Sequence, residues 1–345
     1  MASKKIHIPV LESVRQIIPE LKHVSIDYGR IKEQAKDFAE NYGQGSIKLP
    51  KWEDETFGHN LEDLELLFLF NTINFAYNDF STGEKFETFY EGKKYRGAMA
   101  LSACLRKAYI DDQMDLFKPE FLENLDKETF REITSGNMEI PMLDERLKIL
   151  NEVGKNLKKY GKFRNLCREA KFKTFDNGKG IVERLVQEFP SFNDVSILNG
   201  KEIKFYKRAQ LAMMMAYGRF QDEKDFFPMK EEEIAKLTVA ADYVLPKSLR
   251  ALGILHYDKS LERKVDSQIP LEHDSREEIE IRAATVYSCE LLKRLANGYL
   301  QERDLKGELN RKLEKINVCH VDSYLWYAGR NFKDSKSHLC RTTDY

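Results

Sequence analysis

Three carboxylates stand in apolar or aromatic company, a setting in which acids acquire shifted pKa values and do chemistry. Asp242 lies in Val239-Ala240-Ala241-Asp242-Tyr243-Val244-Leu245. It is either a helix cap or a buried functional acid, and Pro246, suited to the first turn of a following helix, favours the cap. Glu290 falls on a helical stripe with Ile279, Ala283, Val286 and Tyr287. Burying its charge is costly unless it is paired, so it is either a structural ion pair or a cavity-lining acid. Asp322, in Val321-Asp322-Ser323-Tyr324-Leu325-Trp326-Tyr327, sits one helical turn from Leu325 and Trp326. An acid against an aromatic wall suits chemistry at a flat, positively charging sugar or base. The same residue also fits the N-cap of the last helix.

Two further residues accompany the acids. Lys207, in Phe205-Tyr206-Lys207-Arg208-Ala209-Gln210, stands where it can bind an anionic group, against the commoner habit of snorkelling along an apolar surface. His59 precedes an amphipathic helix and reads as a ligand contact or a plain loop histidine. Met213-Met214-Met215 is core filler. The seven histidines show no metal-site spacing, and no Walker, HExxH, GxSxG or nucleotide-binding glycine loop occurs, so neither a metal nor an organic cofactor is expected. Acids, aromatics and no cofactor motif are compatible with glycosidic bond cleavage, in which a carboxylate stabilises or captures the developing positive charge.

The elements that must position these residues are mostly helical. Apolar residues recur at three- and four-residue spacing around 10–21, 30–42, 61–76, 98–110, 144–160, 177–188, 203–219, 231–241, 275–299 and 306–328. Ser275 and Glu278 form a capping box at the head of the helix carrying Glu290, and Glu278, Arg282 and Lys293 fall on its solvated side. The acidic run Glu231-Glu232-Glu233 opens a helix of its own. One short hairpin, Lys85–Tyr90 and Lys94–Arg96 around Glu91-Gly92-Lys93, is the only sheet expected. No Gly/Ser-rich linker or internal repeat divides the chain, which predicts a single mainly α-helical domain over 1–345.

Composition narrows the partners. Of 345 residues 42% are hydrophobic, enough for a large core, and 56 basic residues balance 57 acidic ones for a net charge of −1. That balance removes the general electrostatic case for a nucleic-acid binder. The five cysteines (Cys104, Cys167, Cys289, Cys319 and Cys340) contain no CxxC pair and read as reduced thiols. The start, MASKKIHIPVLESV, places Pro9 and Glu12 where a signal core would lie, and the longest apolar run, Leu211 to Tyr217, is too short for a membrane span. A soluble cytoplasmic protein is expected.

A set of ordered segments carries a resemblance. Asn71-Thr72-Ile73-Asn74-Phe75, Ile140-Pro141-Met142-Leu143-Asp144-Glu145-Arg146 with Ile149-Leu150-Asn151-Glu152, and Phe205-Tyr206-Lys207-Arg208-Ala209-Gln210 are followed by Ala241-Asp242-Tyr243 with Leu245-Pro246. Glu280-Ile281-Arg282 and Asp322 with Tyr324-Leu325-Trp326 complete it. In order and spacing the chain resembles the queuosine salvage protein family, from about residue 10 to the C-terminus. The resemblance implies hydrolysis of the N-glycosidic bond of queuosine 5′-phosphate to queuine and ribose 5-phosphate, for reinsertion of queuine into tRNA by a separate enzyme. It implies a mostly helical fold similar to the helix-hairpin-helix DNA glycosylases, and no cofactor. By position it makes Asp322 the catalytic acid, as nucleophile or as charge stabiliser. Asp242 and Tyr243 become base contacts, Glu290 a further ligand contact, and His59 a contact from a neighbourhood of different length. Lys207 as the 5′-phosphate partner rests on charge.

The chain departs from the family pattern twice. Asn74-Phe75-Ala76-Tyr77-Asn78 lacks the tryptophan of the pattern, which leaves either Phe75 or Tyr77 to substitute for it or a more open pocket. Tyr327, beside the ligand-contact position Trp326, stands where an acid is frequent. Two rival readings use the same residues. A base-extruding glycosylase on intact nucleic acid would need a basic track such as Lys155, Lys158, Lys159, Lys162, Arg164 and Arg168. A non-catalytic queuine-binding helical protein would bind without turnover.

Overall fold

The structure, a computed structural model, describes residues 7–50, 56–308 and 313–345. The basic start at residues 1–6, and the 309–312 portion of the expected helix at 306–328, lie outside the described residues. Helix α1 (Pro9–Arg15) leads through a 3-10 turn to strand β1 (Val24–Ile26) and helix α2 (Tyr28–Gly43). Helix α3 (Leu61–Thr72) opens on a reciprocal capping box between Asn60 and Asp63. Strands β2 (Glu87–Tyr90) and β3 (Lys93–Arg96) precede α4 (Ala98–Ile110). Then come α5 (Pro119–Glu123), α6 (Lys127–Ile133), α7 (Leu143–Leu157), α8 (Phe163–Glu169) and α9 (Ile181–Glu188). Strands β4 (Val195–Leu198) and β5 (Lys201–Lys204) feed α10 (Lys207–Phe220). The chain ends through α11 (Glu231–Ile234), α12 (Val244–Ala251), β6 (Leu255–Tyr257), α13 (Lys259–Asp266), α14 (Arg276–Leu305) and α15 (Val318–Asn331).

The mainly helical expectation holds, but the single hairpin does not. Among the described residues there are three two-stranded antiparallel sheets, β1–β6, β2–β3 and β4–β5. The expected hairpin is β2–β3, closed by Glu91-Gly92 with Tyr90 opposite Lys93. The unforeseen one turns at Asn199-Gly200, whose φ values of 53° and 73° are the left-handed pair that a tight hairpin demands. That Asn-Gly signal cuts off the front of the helix expected at 203–219. Likewise the helix expected at 231–241 stops at Ile234, and the described part of 306–317 is non-helical, so the last helix begins only at Val318.

The chain divides into two compact units. The first holds the described residues of Met1–Pro50, Val195–Gln210 and Glu231–Arg341, and the second those of Lys51–Asp194, Leu211–Lys230 and Thr342–Tyr345. In the first, α14 packs against α2, α1, α12, α15 and β1, and α12 packs along α15. This central place buries nearly every residue from Glu278 to Glu290. Glu278 and Arg282, expected in solvent, are both fully buried, an ion pair at 3.6 Å one turn apart. The side chain of Lys293 is only 12% exposed. Glu280 is buried as well, its carboxylate accepting the amides of Lys22, His23 and Val24 at 2.9, 2.7 and 3.3 Å. That bond set fixes the entry to β1.

In the second unit α3 is buried all round from Asp63 to Thr72. Glu65 on α3 accepts the Phe163 and Arg164 amides at the head of α8, at 2.9 and 3.1 Å, satisfying donors that a helix start leaves open. Arg146 on α7 is fully buried and donates to the carbonyls of Ile73, Phe75, Ala76 and Pro141. Its guanidinium also lies 4.3 Å from the Phe75 ring centroid. Two of the family-like segments are thereby one structural bracket. Among the described residues no helix is long and apolar enough to cross a membrane.

Candidate active site

Asp322 lies in the second turn of α15. The N-cap is Asn317, whose side chain accepts the Cys319 amide at 3.1 Å, while the His320 ring takes the Asn317 amide at 3.2 Å. The capping alternative for Asp322 is therefore overturned: the cap position is filled five residues earlier, and Asp322 points inward. It is 3% exposed, and its Oδ2 accepts the Ala240 amide at 2.8 Å. Burial, with the nearby charge of Asp242, lifts its pKa from 3.8 to about 7, although the Ala240 bond and Lys207 pull the other way.

Asp242 does cap. Its Oδ1 accepts the amides of Val244 and Leu245 at 2.7 and 3.0 Å, at the opening turn of α12. Both bonds fall on one oxygen. Burial raises its pKa against the opposing pull of Lys207 and those amides. The α12 opening is tied to α15 by the Ser248 hydroxyl, which donates to the Leu325 carbonyl at 2.6 Å.

Lys207 is the first residue of α10, following Tyr206 in the left-handed conformation (φ 50°). It is 5% exposed, so it does not snorkel. Burial lowers its pKa to about 8; Arg208 and Arg282 add to the fall, and Asp242 and Asp322 resist it. Lys207, Asp242 and Asp322 thus lie within one another's electrostatic reach. Glu290 is 6% exposed and pairs with Lys293 at 2.7 Å and Arg294 at 2.6 Å, the ion-pair alternative for this acid. It also lines a cavity of about 10 Å³ with Thr238, Val239, Cys289 and Val321, room for one water. Cys289 connects it to the acids, since its thiol is pushed well up by burial and then by Asp322 and Glu290.

The remaining expected contacts are placed more loosely. Tyr243 is half-buried beside Asp242. Trp326 is half-buried one turn beyond Asp322, edge-on to Tyr327 at 5.3 Å, with the Arg330 guanidinium 4.9 Å from its ring centroid. Tyr327 is 55% exposed. His59 and Phe75 belong to the second unit. There His59 is exposed just before the Asn60 cap, and Phe75 is 1% exposed under Arg146. Of the possible basic track, Lys158 and Lys159 are paired with Glu123 and Glu188.

Comparison with known proteins bears on what this arrangement does. The model of the queuosine salvage protein family matches residues 57–344. A Sphaerobacter thermophilus protein named queuosine 5′-phosphate N-glycosylase/hydrolase is 31% identical over 96% of this chain and 95% of its own. The chain belongs to the queuosine salvage protein family. Relatives of the same name from Bos taurus and Mus musculus are 28% and 29% identical, each across 94% of this chain and 93% and 94% of theirs.

Sequence reasoning gave two fully buried polar residues, Arg282 and Gln210, no place in the site. Gln210 donates to the Phe205 carbonyl and Thr238 hydroxyl at 2.8 and 3.0 Å and accepts the Thr238 amide at 2.8 Å. Arg282 donates to the Ala241 carbonyl at 3.2 Å. The pattern around Arg282 signals that the charges there are not all solvated. Charges at 278, 280 and 282 alternate with Ile279, Ile281 and Ala283, and positions two apart lie about 200° apart on a helix. Three such charges cannot share one solvated face.

Proposed function

We propose that this protein is a nucleotide N-glycosidase that hydrolyses queuosine 5′-phosphate to queuine and ribose 5-phosphate. The observation that carries the reading is the shared name, queuosine 5′-phosphate N-glycosylase/hydrolase, of relatives aligned over more than nine-tenths of both chains. That coverage also supports treating residues 1–345 as one glycosidase domain. The helical content supports a fold similar to the helix-hairpin-helix DNA glycosylases.

In this reading the C1′–N9 bond breaks with its electron pair passing to the base, the oxygen of water ends on C1′, and the proton that water gives up ends on the departing base. Asp322, as carboxylate, faces the sugar and stabilises or captures the oxocarbenium-like centre. Its burial makes that charge effective, because little water screens it. Asp242 and Tyr243 hold the base. With Oδ1 committed to α12, Oδ2 of Asp242 is the oxygen that receives the base N–H groups. Lys207 supports the 5′-phosphate, and its neighbours suit an anion. Arg208 and Arg282 are permanent cations, and Lys207, though lowered to about 8, stays mostly charged at pH 7. Glu290, Trp326 and Tyr327 complete the proposed ligand contacts. No cofactor or metal has a part, and a net charge of −1 supports a free nucleotide rather than a nucleic-acid strand as substrate. Buried thiols support a cytoplasmic setting.

The test is product analysis after incubation with queuosine 5′-phosphate, queuosine and queuosine-containing tRNA side by side. Free queuine fastest from the monophosphate is the expected result. Release chiefly from tRNA, with steep salt dependence, would replace this reading by the base-extruding one, and binding without release would leave a queuine-binding protein.

A further inference from the structure

The segment from Thr238 to Asp242 has no helical or sheet partners for its backbone, yet it carries the amide that touches Asp322 and the side chain of Asp242 itself. Most of the bonds that hold it go to side chains instead. Gln210 clasps Thr238 at one end. At the other the Asp242 amide bonds the Ala240 carbonyl at 2.7 Å, a tight turn with Ala241 at its apex. The Ala241 carbonyl is held by Arg282 Nε. The Arg282 guanidinium lies 4.0 Å from the Phe205 ring centroid, two residues before Lys207, and is paired with Glu278. One fully buried side chain thus touches the segment bearing Asp242, the approach to Lys207, and α14.

We propose that Arg282 is a positioning residue for the glycosidase reaction: by holding the Ala241 carbonyl it fixes the Ala240 N–H on Asp322, and so orients the catalytic carboxylate. This rests on the functional reading of Asp322 given above. The guanidinium suits the task because its donors are fixed in a plane and its face packs on an aromatic ring, neither of which an ammonium reproduces. The consequence for Asp322 has a definite sign. The groups that act on it are the Ala240 amide and Asp242 from the segment, Lys207 from α10, Cys289 from α14 and Cys319 from its own helix. Of the segment's two, the Ala240 amide favours the charged form, and its loss raises the pH at which Asp322 ionises.

The experiment compares Arg282→Lys and the paired change Glu278→Gln/Arg282→Met with wild type, using queuosine 5′-phosphate as substrate. Arg282→Lys keeps a charge opposite Glu278. The paired change removes both charges of that ion pair together. Expected are a cooperative melt in both, kcat down roughly ten- to hundred-fold, KM within about two-fold, and an acid limb displaced to higher pH. A merely structural arginine is rescued by lysine, so wild-type kcat and pH profile in Arg282→Lys would overturn the assignment. Failure of both variants to fold would also overturn it, making the pair a folding element. Asp322→Asn run in parallel separates the two readings. If it stays active, the catalytic acid is wrong and Arg282 has nothing to position; if it is inactive while Arg282→Lys is normal, only the present inference fails.

Discussion

Replacing Asp322 by Asn should make the protein more stable and less active at the same time, with a dependence on pH that identifies the cause. Asparagine has nearly the shape of the carboxyl, and its Oδ1 can keep the Ala240 hydrogen bond. It removes only the ability to ionise. In the folded protein Asp322 takes up its proton near pH 7, against 3.8 for an ordinary aspartate. Between those values the native state binds a proton that the unfolded chain does not, so wild-type stability falls as pH rises through that window and levels above pH 7. Three units correspond to about 4 kcal/mol, a cost that the variant does not carry. The two proteins should therefore have similar stability at pH 4, while the variant leads by up to about 4 kcal/mol at pH 8. Urea melts across pH 4–8 measure the gap, and turnover on queuosine 5′-phosphate should drop by at least ~10²-fold. A stability difference that stays constant from pH 4 to 8 would refute the buried, late-titrating carboxyl. Near wild-type turnover would remove Asp322 from the chemistry.

The same carboxyl sets the wild-type rate profile: kcat/KM should rise with pH to a plateau above about 7, since the working form is the carboxylate, and a rate that falls through pH 7 would instead make Asp322 a proton donor. Lys207→Ala should cost more on queuosine 5′-phosphate than on queuosine, and because Lys207 lowers the Asp322 pKa it should also displace the acid limb upward. Equal losses on both substrates would confine Lys207 to partnering the two acids. Gly329→Ala places a Cβ 2.3 Å from Ser248 Oγ and 2.8 Å from Val244 Cγ1, where α15 meets α12. Overpacking of this kind costs about 1–3 kcal/mol, so a thermal melt at the wild-type temperature would show that the seam yields freely.

Periodicity and caps located the long helices well. Helix 98–110 agrees residue for residue, and Ser275 opens α14 as expected, its hydroxyl accepting the Glu278 amide. Two of the misses share one physical origin. At 203–206 and 235–241 apolar residues recur as they do on a buried helix, so periodicity alone does not distinguish them from one. The Asn199-Gly200 turn settles the first, but the second is decided by tertiary partners, Gln210, Arg282 and Asp322, distant in sequence. Asp242 shows the limit from the other side: its capping role was legible from Pro246, whereas its electrostatic coupling to Lys207 needed the fold. Glu290 read as an even choice, and the structure supplies both its ion pairs and the small cavity.

The burial of so much charge on one helix follows from what the site requires of the backbone. A regular ladder would satisfy the amides between Thr238 and Asp242 but would turn them along the ladder, leaving none to meet a carboxylate. Irregular backbone can aim an amide at Asp322, and its other polar groups must then be satisfied by side chains that reach in from outside. α14 supplies that reach. Glu280 receives the amides that lead into β1, and Arg282 holds the carbonyl next to the amide on Asp322. A shorter polar residue at 282 would release the Ala241 carbonyl, and an apolar one would take from buried Glu278 its ion pair with Arg282, the costlier error. Arg282 with its partner Glu278 thus breaks the apolar pattern of α14 where the proposed catalytic acid meets irregular backbone, and Glu280 breaks it where the chain enters β1. The same account predicts that Arg282→Met alone destabilises the protein more than the paired Glu278→Gln/Arg282→Met, and thermal melts of the two compare them directly.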